Sequence, residues 1–395
     1  MSWKTPNKYF YTEREYKMKQ VCIVGAGASG CVCAYFLKKA GIEVTLFDWG
    51  KPLRTILPTG GGRCNLAHGE YDFKELAKNY PRGEKFLYSV FSKFSTYDTL
   101  SLFEDLGIET YTQENGRIFP VSNNSNDVRS AILRAINSVN IVNEKVEVIK
   151  PQNEGYKVKT NKAEYFFSDV VIATGGGLKN KPISGLSHNI IEYTPALVGL
   201  KSDLTNLSGV VLKDVYSHDC KIRDDLLFTH FGISGPLVYK ISSIKTKEAF
   251  PYKLTFDLYR KDLDLQKELN DNPHKDLKNI LAKVFPHRFA EFISGEHAEV
   301  KAHRIDGKVR NLILEKIHNF ELNILGTDKG EETVTAGGYD LKEVNPKTME
   351  SKLYPNLYII GEALDIDGFC GGFNLQNAWS TAFISAESIA QKNIF

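Results

Sequence analysis

The sequence lacks the features that mark several classes of protein. It has six cysteines, and none of them forms a C-x-x-C or C-x-x-x-x-C pair, which excludes the dithiol relay of disulfide reductases. Cys31 and Cys33 fall in a predicted helix, where residues two apart point in different directions, so we predict no disulfide and no metal site. No apolar run approaches the ~20 residues of a membrane-spanning helix, and we expect no membrane partner.

An excess of one charge is also missing. The 50 Lys and Arg residues face 48 Asp and Glu residues, for a net charge of +2. A dedicated nucleic-acid binder concentrates positive charge, so we expect a small-molecule substrate and no nucleic-acid partner. Residues 1–19 contain no apolar stretch of the kind found in a secretory signal, and we expect a cytoplasmic protein with a tail at residues 1–18. Nothing in the sequence indicates an oligomeric state.

Glycine, by contrast, is abundant: there are 31, and many lie in clusters. The first cluster, Gly25-x-Gly27-x-x-Gly30, follows the apolar run 20–24 and opens a predicted helix. In this setting the first glycine makes a tight turn, the second lets the backbone approach a pyrophosphate, and the third lets the helix pack on the strand. Asp48 ends the next predicted strand, where its carboxylate accepts hydrogen bonds from a ribose. The pattern predicts a bound dinucleotide.

Glycines at two other strand ends indicate which dinucleotide is bound. An interior apolar strand ends in Ala173-Thr174-Gly175, and a C-terminal strand ends in Gly361-Glu362. Gly371-Gly372 then opens the last predicted helix, whose N-terminus would stabilise negative charge on a flavin ring. This arrangement is typical of FAD proteins. No second G-x-G-x-x-G follows a strand, so NAD(P)H as an electron donor would visit the flavin without a Rossmann domain of its own.

The pattern of apolar runs predicts an α/β fold. Buried strands separated by helices indicate a doubly wound parallel sheet, as in a Rossmann-like FAD-binding domain. From about residue 193 to 330, short alternating strands precede charged helical stretches, which is typical of an insertion. We therefore predict a discontinuous FAD-binding domain at 19–192 and 331–395. Its insert spans 193–330 and is β-rich at about 193–260 and helical at about 261–330.

Several motifs resemble one known family. The run Thr59-Gly60-Gly61-Gly62-Arg63-Cys64-Asn65 resembles the S-G-G-G-R-C-N signature of the BaiN/YhiN-like NAD(P)/FAD-dependent oxidoreductases, also described as aminoacetone oxidase-family FAD-binding enzymes. The segments at 116–120, 227–236, 334–338 and 346–376 match the same family in the same order. The resemblance covers about residues 19–390. It implies an FAD domain interrupted by a β-barrel-like and helical insert.

The resemblance also implies roles for individual residues. Gly25, Gly27 and Gly30 would hold the pyrophosphate and Asp48 the ribose, while the backbone of Val146 would contact the adenine. Glu362 and Asp367 would face the ribitol. The other candidate cofactor-binding residues are Gly62, Arg63, Cys64, Ala173, Thr174, Gly175, Gly361, Gly372, Asn374 and Leu375. The last three would lie at the pyrimidine edge of the flavin.

Three of the polar side chains near these motifs have competing interpretations. Arg63 is a candidate contact for an anion or the flavin, because a guanidinium donates several hydrogen bonds in a fixed fork. For Cys64 we favour a small, partly buried residue behind the isoalloxazine ring over a redox or flavin-contact thiol. For His230 we favour a structural, hydrogen-bonded histidine over a proton donor. No catalytic residue is identified from the sequence.

The family resemblance suggests an activity, and two alternatives stay open. It suggests NAD(P)H-dependent reduction of a C=C bond conjugated to a ketone in a small or steroid-like substrate. The alternatives are a flavin amine oxidase of the aminoacetone type and a non-catalytic flavin-binding redox-sensing module. The sequence departs from the family at Thr55, at Ala67-His68 and at 184–187, where the family's G-S-T-G-D-G-Y stretch is contracted. The contraction affects the substrate or ribityl side of the pocket.

Overall fold

A computed structural model describes residues 20–178, 182–259, 263–328 and 334–393. The predicted tail and the predicted domain boundary at 330/331 lie outside these residues. In chain order the strands are β1 (Gln20–Val24), β2 (Glu43–Asp48), β3 (Ala67–His68), β4 (Thr110–Thr112), β5 (Arg117–Pro120), β6 (Asn140–Asn143), β7 (Val146–Gln152), β8 (Gly155–Thr160), β9 (Glu164–Phe167), β10 (Asp169–Ile172), β11 (Ile190–Ala196), β12 (Leu200–Ser202), β13 (Val211–Ser217), β14 (Ile222–Phe228), β15 (Gly232–Ser234), β16 (Tyr252–Asp257), β17 (Phe320–Thr327), β18 (Val334–Tyr339) and β19 (Leu357–Ile359).

The helices follow the same chain order. They are α1 (Ala28–Lys39), α2 (Thr59–Gly62), α3 (Phe73–Ala77), α4 (Glu84–Phe91), α5 (Thr96–Asp105), α6 (Ser125–Ala135), α7 (Pro236–Ile244), α8 (Leu265–Asp271), α9 (Leu277–Leu281), α10 (His287–Ser294), α11 (Gly307–His318) and α12 (Phe373–Asn393). Within the described ranges, none of these helices is long and apolar enough to cross a membrane.

The central sheet is parallel, as the runs of buried apolar residues predict. Its described strands lie in the order β19-β10-β1-β2-β6, and every pair is parallel. β10 is buried along its whole length, as expected of an interior parallel strand. The chain passes from β1 through α1 to β2 on one side, and β10 lies on the other side of β1. The chain therefore leaves β1 in one direction along the sheet and β10 in the other, and folds of this kind bind ligands at the carboxyl ends of two such strands.

Two small antiparallel sheets accompany the central one. The strands β7-β8-β9 form a meander in the chain between β6 and β10. In the sheet β3-β5-β4, strand β3 begins two residues after the G-G-G-R-C-N segment, and β5 holds residues 117–120 of the G-R-I-F-P segment. Its strand β3 packs on α12, the helix that follows Gly371-Gly372. The fold thereby brings motifs from both ends of the chain to one place.

The insert is built around a closed antiparallel barrel of order β12-β15-β14-β13-β16-β17. In β17 the first six residues alternate between buried and exposed, as barrel strands do. The barrel and its helices α8–α11 share one apolar core, and the central sheet with α1 and α12 has another. The antiparallel strands β11 and β18 are the two segments by which the chain enters and leaves the insert. The predicted fold class, a Rossmann-like domain with a barrel-like and helical insert, is confirmed.

The division of the insert into a β-rich and a helical part is less clean than predicted. Helix α7 lies inside the segment predicted as β-rich, and strand β17 lies inside the segment predicted as helical. β17 pairs with both β12 and β16, so the barrel closes only when the chain returns after its helices. Pairing between strands that are distant in the chain cannot be read from the local pattern. The sequence therefore predicted all strands of the insert in one stretch before its helices.

Candidate functional site

The first glycine cluster forms the turn between β1 and α1. Gly25 has φ +109°, and a Cβ there would lie 2.3 Å from the carbonyl oxygen of Ala173. A Cβ on Gly30 would lie 1.9 Å from the carbonyl oxygen of Gly25. Gly27 differs, because a Cβ there would meet no protein atom within 4 Å. Packing alone therefore requires the first and third glycines, whereas the second leaves its backbone open to a ligand.

The N-terminus of α1 supplies hydrogen-bond donors at this turn. Gly27 is the N-cap residue, and no side chain caps the helix. The first N–H groups of a helix have no partner within it and form the positive end of its dipole. The first turn of α1 has no acidic residue that would repel a phosphate. The loop therefore fits the pyrophosphate of a dinucleotide.

Asp48 accepts two backbone hydrogen bonds, one of which holds it against the same turn. Its Oδ2 accepts from the N–H of Ala26 at 2.7 Å, and its Oδ1 accepts from the N–H of Gly50 at 2.7 Å. A carboxylate oxygen accepts more than one hydrogen bond, so Asp48 keeps capacity for ribose hydroxyls. The position at the end of β2 matches the sequence prediction. Its contact with ribose stays a prediction.

Glu362 lies where the ends of β10, β18 and β19 meet. Its Oε1 accepts from the N–H of Thr335 at 2.8 Å, and the N–H of Gly176 also donates to its carboxylate. Burial raises the pKa of Glu362 to about 7, although the two backbone donors lower it. A Cβ on Gly361 would lie 2.6 Å from Oγ of Ser29 in α1, so this strand end touches the helix that begins at the glycine turn after β1.

The strand end at Ala173-Thr174-Gly175 belongs to the same corner. The N–H of Ala173 donates to the carbonyl of Val24 at 2.8 Å, which extends the pairing of β1 and β10 by one residue. Gly175 then turns with φ +71°. These residues therefore lie beside the glycine turn after β1, as the sequence predicts. Whether they contact FAD stays a prediction.

The three glycines of the G-G-G-R-C-N segment, which lie in the short element α2, have left-handed backbone conformations. Gly60, Gly61 and Gly62 have φ values of +59°, +69° and +85°. A Cβ on Gly61 or Gly62 would meet no protein atom within 4 Å, so the backbone is open here as it is at Gly27. The Arg63 guanidinium stacks on the Phe119 ring, 4.1 Å from its centroid. The Nε of Arg63 also donates to the carbonyl of Gly60 at 3.0 Å.

Cys64 is fully buried, and its backbone has φ +65°. Burial raises the pKa of the Cys64 thiol to about 12, although a hydrogen bond with Thr59 lowers it. The thiolate form is therefore scarce near neutral pH, and this supports the interpretation as a packing residue. Of the other two residues with competing interpretations, Arg63 is described above. His230 is exposed, and its ring packs edge-on against Phe231.

The loop before α12 packs on β3, the strand that follows the G-G-G-R-C-N segment. A Cβ on Gly372, which has φ +97°, would lie 2.3 Å from the carbonyl oxygen of Ala67. The Asn374 side chain donates to the carbonyl of Gly368 at 2.7 Å and accepts from its N–H at 2.8 Å. Leu375 packs against the core of the central sheet. The Asn374 amide thus stabilises the loop, and its predicted place at a pyrimidine edge is untested.

Asp367 is engaged by partners that the sequence does not reveal. Arg82 donates from Nε to Oδ1 and from Nη2 to Oδ2, each at 2.5 Å. Ser243 of α7 donates to Oδ2 at 2.5 Å. Burial raises the pKa of Asp367 even though Arg82 and Ser243 oppose the shift. Its carboxylate therefore already has three donors, and the predicted ribitol contact would have to share it.

Val146 and the contracted loop lie side by side. Val146 begins β7 and is buried, with Thr160 of β8 as its partner. Two bonds join the loop to β7: Ile149 N–H donates to Ser184 O at 2.9 Å, and Ser184 N–H donates to Glu147 O at 3.2 Å. The contracted segment is thus hydrogen-bonded to the predicted adenine strand. The predicted adenine contact of Val146 is untested.

The fold and the glycine turns together define a dinucleotide-binding protein of the Rossmann class. Residues 19–388 match the family described as HI0933-like protein Rossmann domain, and the chain belongs to this family. The resemblance to the BaiN/YhiN-like enzymes is confirmed, which makes the chain a member of a family of FAD-dependent oxidoreductases.

Named relatives cover nearly the whole chain. It is 32% identical to a ribosomal RNA dihydrouridine synthase of Haemophilus influenzae, over 94% of this chain and 98% of the relative. A 3-dehydro-bile acid delta(4,6)-reductase of Clostridium scindens is 25% identical, over 95% of this chain and 100% of the relative. Among solved structures, the open conformation of a flavocytochrome c3 fumarate reductase matches with a TM-score of 0.50 at 14% identity, over 96% of this chain and 79% of that one. That structural likeness shows the fold alone.

Proposed function

We propose that the protein binds FAD and uses NAD(P)H to reduce a C=C bond conjugated to a carbonyl, and that this bond is the C5=C6 bond of a uracil base in ribosomal RNA. The observation that carries the proposal is the 32% identity to a ribosomal RNA dihydrouridine synthase over nearly the full length of both chains. The 25% identical bile-acid reductase is named for a related reaction, since a double bond at position 4 is conjugated to a 3-oxo group. One reaction type thus accounts for both relatives.

The residues that would hold FAD are those described above. The open backbone at Gly27 and the uncapped N-terminus of α1 would bind the pyrophosphate. Asp48, fixed by two backbone bonds, would orient the ribose. The open glycines 61 and 62 and the loop at 371–372 would flank the ring. When bound, FAD supplies the chemistry of hydride transfer, and the protein contributes orientation and exclusion of water.

The proposal sets aside the expectation that no nucleic acid is bound. That expectation depends on net charge, which describes the whole chain, whereas RNA binding depends on cations grouped at one surface. A steroid-like enone is the second candidate substrate, and the bile-acid reductase supports it at lower identity. An amine oxidase and a non-catalytic flavin protein are retained as outcomes of the test.

The test measures product and flavin separately. The chain is produced in a bacterium that lacks its own ribosomal RNA dihydrouridine synthase, and nucleosides of the ribosomal RNA are analysed by mass spectrometry. We expect dihydrouridine with the wild-type chain and none with Gly27→Leu, which should not retain FAD. In parallel, the purified protein is mixed anaerobically with NADH or NADPH and with a 3-oxo-Δ4 steroid. Dihydrouridine without steroid turnover supports RNA as substrate, and steroid turnover alone supports the second candidate. Bleaching only by amines, or by no donor, would overturn both.

A further inference from the structure

One face of the sheet β3-β5-β4 carries an arginine, Arg117, that is not among the candidate cofactor-binding residues, and Arg63, which is among them, lies close to it. Arg117 of β5 lies directly opposite His68 of β3, so the two side chains share a face of the sheet. Phe119 lies two residues further along β5, which places it on that face as well. The Arg63 guanidinium stacks on Phe119 at 4.1 Å. Two residues along a strand span about 6.6 Å, so both arginines come to one small area.

This area borders both loops that would flank the flavin ring. Arg63 directly follows Gly60–Gly62. A ring nitrogen of His68, Nδ1, lies 3.2 Å from the carbonyl oxygen of Gly371. Burial lowers the pKa of His68, and the charge of Arg117 lowers it further. Burial raises the pKa of Cys370, and the same arginine opposes that rise. Arg117 is therefore close to the loop before α12.

Neither arginine has an acidic partner in the part of the chain that the structure describes. No carboxylate of the described residues lies within 4.0 Å of the guanidinium of Arg63 or of Arg117. Nearby cations are paired instead: Lys240 lies 2.8 Å from Asp224, and Arg82 binds Asp367. Both unpaired arginines are half-buried. A half-buried guanidinium loses solvation, and a bound anion compensates for that loss.

We propose that Arg63 and Arg117 form an anion-binding pair that holds a backbone phosphate of the RNA substrate beside the flavin. This inference rests on the proposed function, because it names the group of that substrate that the site binds. Guanidinium groups suit phosphate, since their N–H donors form parallel hydrogen bonds to its oxygens. The pyrophosphate of FAD is the other phosphate near this protein. We place that pyrophosphate at the turn after β1, where the N–H groups at the N-terminus of α1 are its donors.

The test uses Arg117→Gln, because Arg117 is outside the predicted cofactor-binding residues. Binding of deproteinised ribosomal RNA to the FAD-loaded protein is measured at several KCl concentrations. We expect affinity to fall about tenfold, as for loss of one charged hydrogen-bonding contact. The slope of log affinity against log salt should become shallower by about 0.7, the value for one phosphate contact on a single strand. The FAD content should not change.

Lys253→Gln is the matched control. It removes the same charge from β16 of the barrel, where Lys253 pairs with Glu321 at 2.8 Å. Arg117→Lys is the second variant: it keeps the charge without the planar fork, so it should keep the salt slope while binding more weakly. If Arg117→Gln does not fold, Arg117→Lys decides the question by its affinity relative to the Lys253 control.

Three results would overturn the inference. The first is an Arg117→Gln protein whose affinity and salt slope equal those of the Lys253→Gln control, while the wild type still makes dihydrouridine. The second is loss of FAD from Arg117→Gln, which would assign the arginine to the cofactor. The third is a wild-type protein that neither binds ribosomal RNA nor makes dihydrouridine, and this result overturns the proposed function as well.

Discussion

Arg82 and Asp367 form a buried ion pair between distant parts of the chain. Two hydrogen bonds of 2.5 Å join the guanidinium to the carboxylate. The Asp367 side chain is 0% exposed and that of Arg82 is 14% exposed. Arg82 also donates from Nη1 to the carbonyl of Ser243 at 2.8 Å and to Oγ1 of Thr246 at 3.1 Å. The pair thus ties the loop before α12 to the helix α7 of the insert.

Replacing Arg82 with leucine should destabilise the protein strongly. The change leaves the carboxylate of Asp367 buried without its charged partner, which costs about 3–5 kcal/mol in the free energy of unfolding. The comparison is Lys39→Ala, which breaks a surface pair with Asp105 whose side chains are 61% and 60% exposed. We expect less than about 1 kcal/mol there. Urea unfolding measures both, and equal effects of the two changes would contradict the expectation.

Substitutions at two glycines of the first cluster should have different effects, one on ligand binding and the other on folding. Gly27→Val adds a side chain where no protein atom lies within 4 Å of the Cβ, so the protein should fold but lose FAD. Gly30→Val places a Cβ 1.9 Å from the carbonyl of Gly25, so it should prevent folding or lower stability by several kcal/mol. Circular dichroism melting and the flavin absorbance of purified protein report the two effects. Stoichiometric FAD in folded Gly27→Val would place the pyrophosphate elsewhere.

Glu362 should make stability depend on pH. Its pKa in the folded protein is about 7, above the ordinary 4.5. The folded state binds the proton more tightly than the unfolded state, so stability from this group is complete below 4.5 and is lost as the pH rises through 7. The glutamine of Glu362→Gln is neutral at every pH, so the stability of this variant does not fall through this group as the pH rises.

The measurement compares urea unfolding of the wild type and Glu362→Gln at pH 5 and pH 8. The variant should gain about 2 kcal/mol relative to the wild type between the two pH values. An identical difference at both pH values would show that Glu362 is ionised in the folded protein throughout this range.

The cysteines should differ in reactivity according to their burial. Cys370 is exposed, whereas Cys22, Cys31, Cys33 and Cys64 are buried. Only a thiolate reacts, and burial raises the pKa of each buried thiol. The pKa of Cys370 is raised too, so its access to the reagent is what distinguishes it from the buried thiols. Iodoacetamide should therefore modify Cys370 first in the native protein, as read by mass spectrometry of peptides, and Cys370→Ser should remove that signal. Rapid modification of Cys64 would instead support a redox role for its thiol.

Much of the fold was accessible from sequence because it depends on local patterns. The run 20–24, the glycine turn and the helix after it are adjacent in the chain; β1 coincides with the predicted run, and α1 begins within the glycine cluster that is predicted to open a helix. Strand β17 was missed because its partners β12 and β16 are distant in the chain. Its alternation of buried and exposed residues could have indicated a strand among the predicted helices.

The candidate site shows the same limit. Asp48 was found because its place at the end of β2 follows from spacing, but nothing near Arg82 in the sequence points to Asp367, 285 residues away. Arg117 was visible only as part of a family motif. Only the structure shows that Arg117 lies opposite His68 and close to Arg63, which stacks on Phe119.

The sequence by itself determined the Rossmann-like class, the glycine turn after β1 and, through the family's motifs, membership of a family of FAD-dependent oxidoreductases, because each depends on residues close in the chain. The tertiary structure decided which polar groups are already engaged. Asp367 and Asn374 have partners within the protein, whereas Arg63 and Arg117 lack acidic partners among the described residues. Whether a polar side chain has a hydrogen-bond or ion-pair partner depends on distances in space, and only the folded chain fixes those distances.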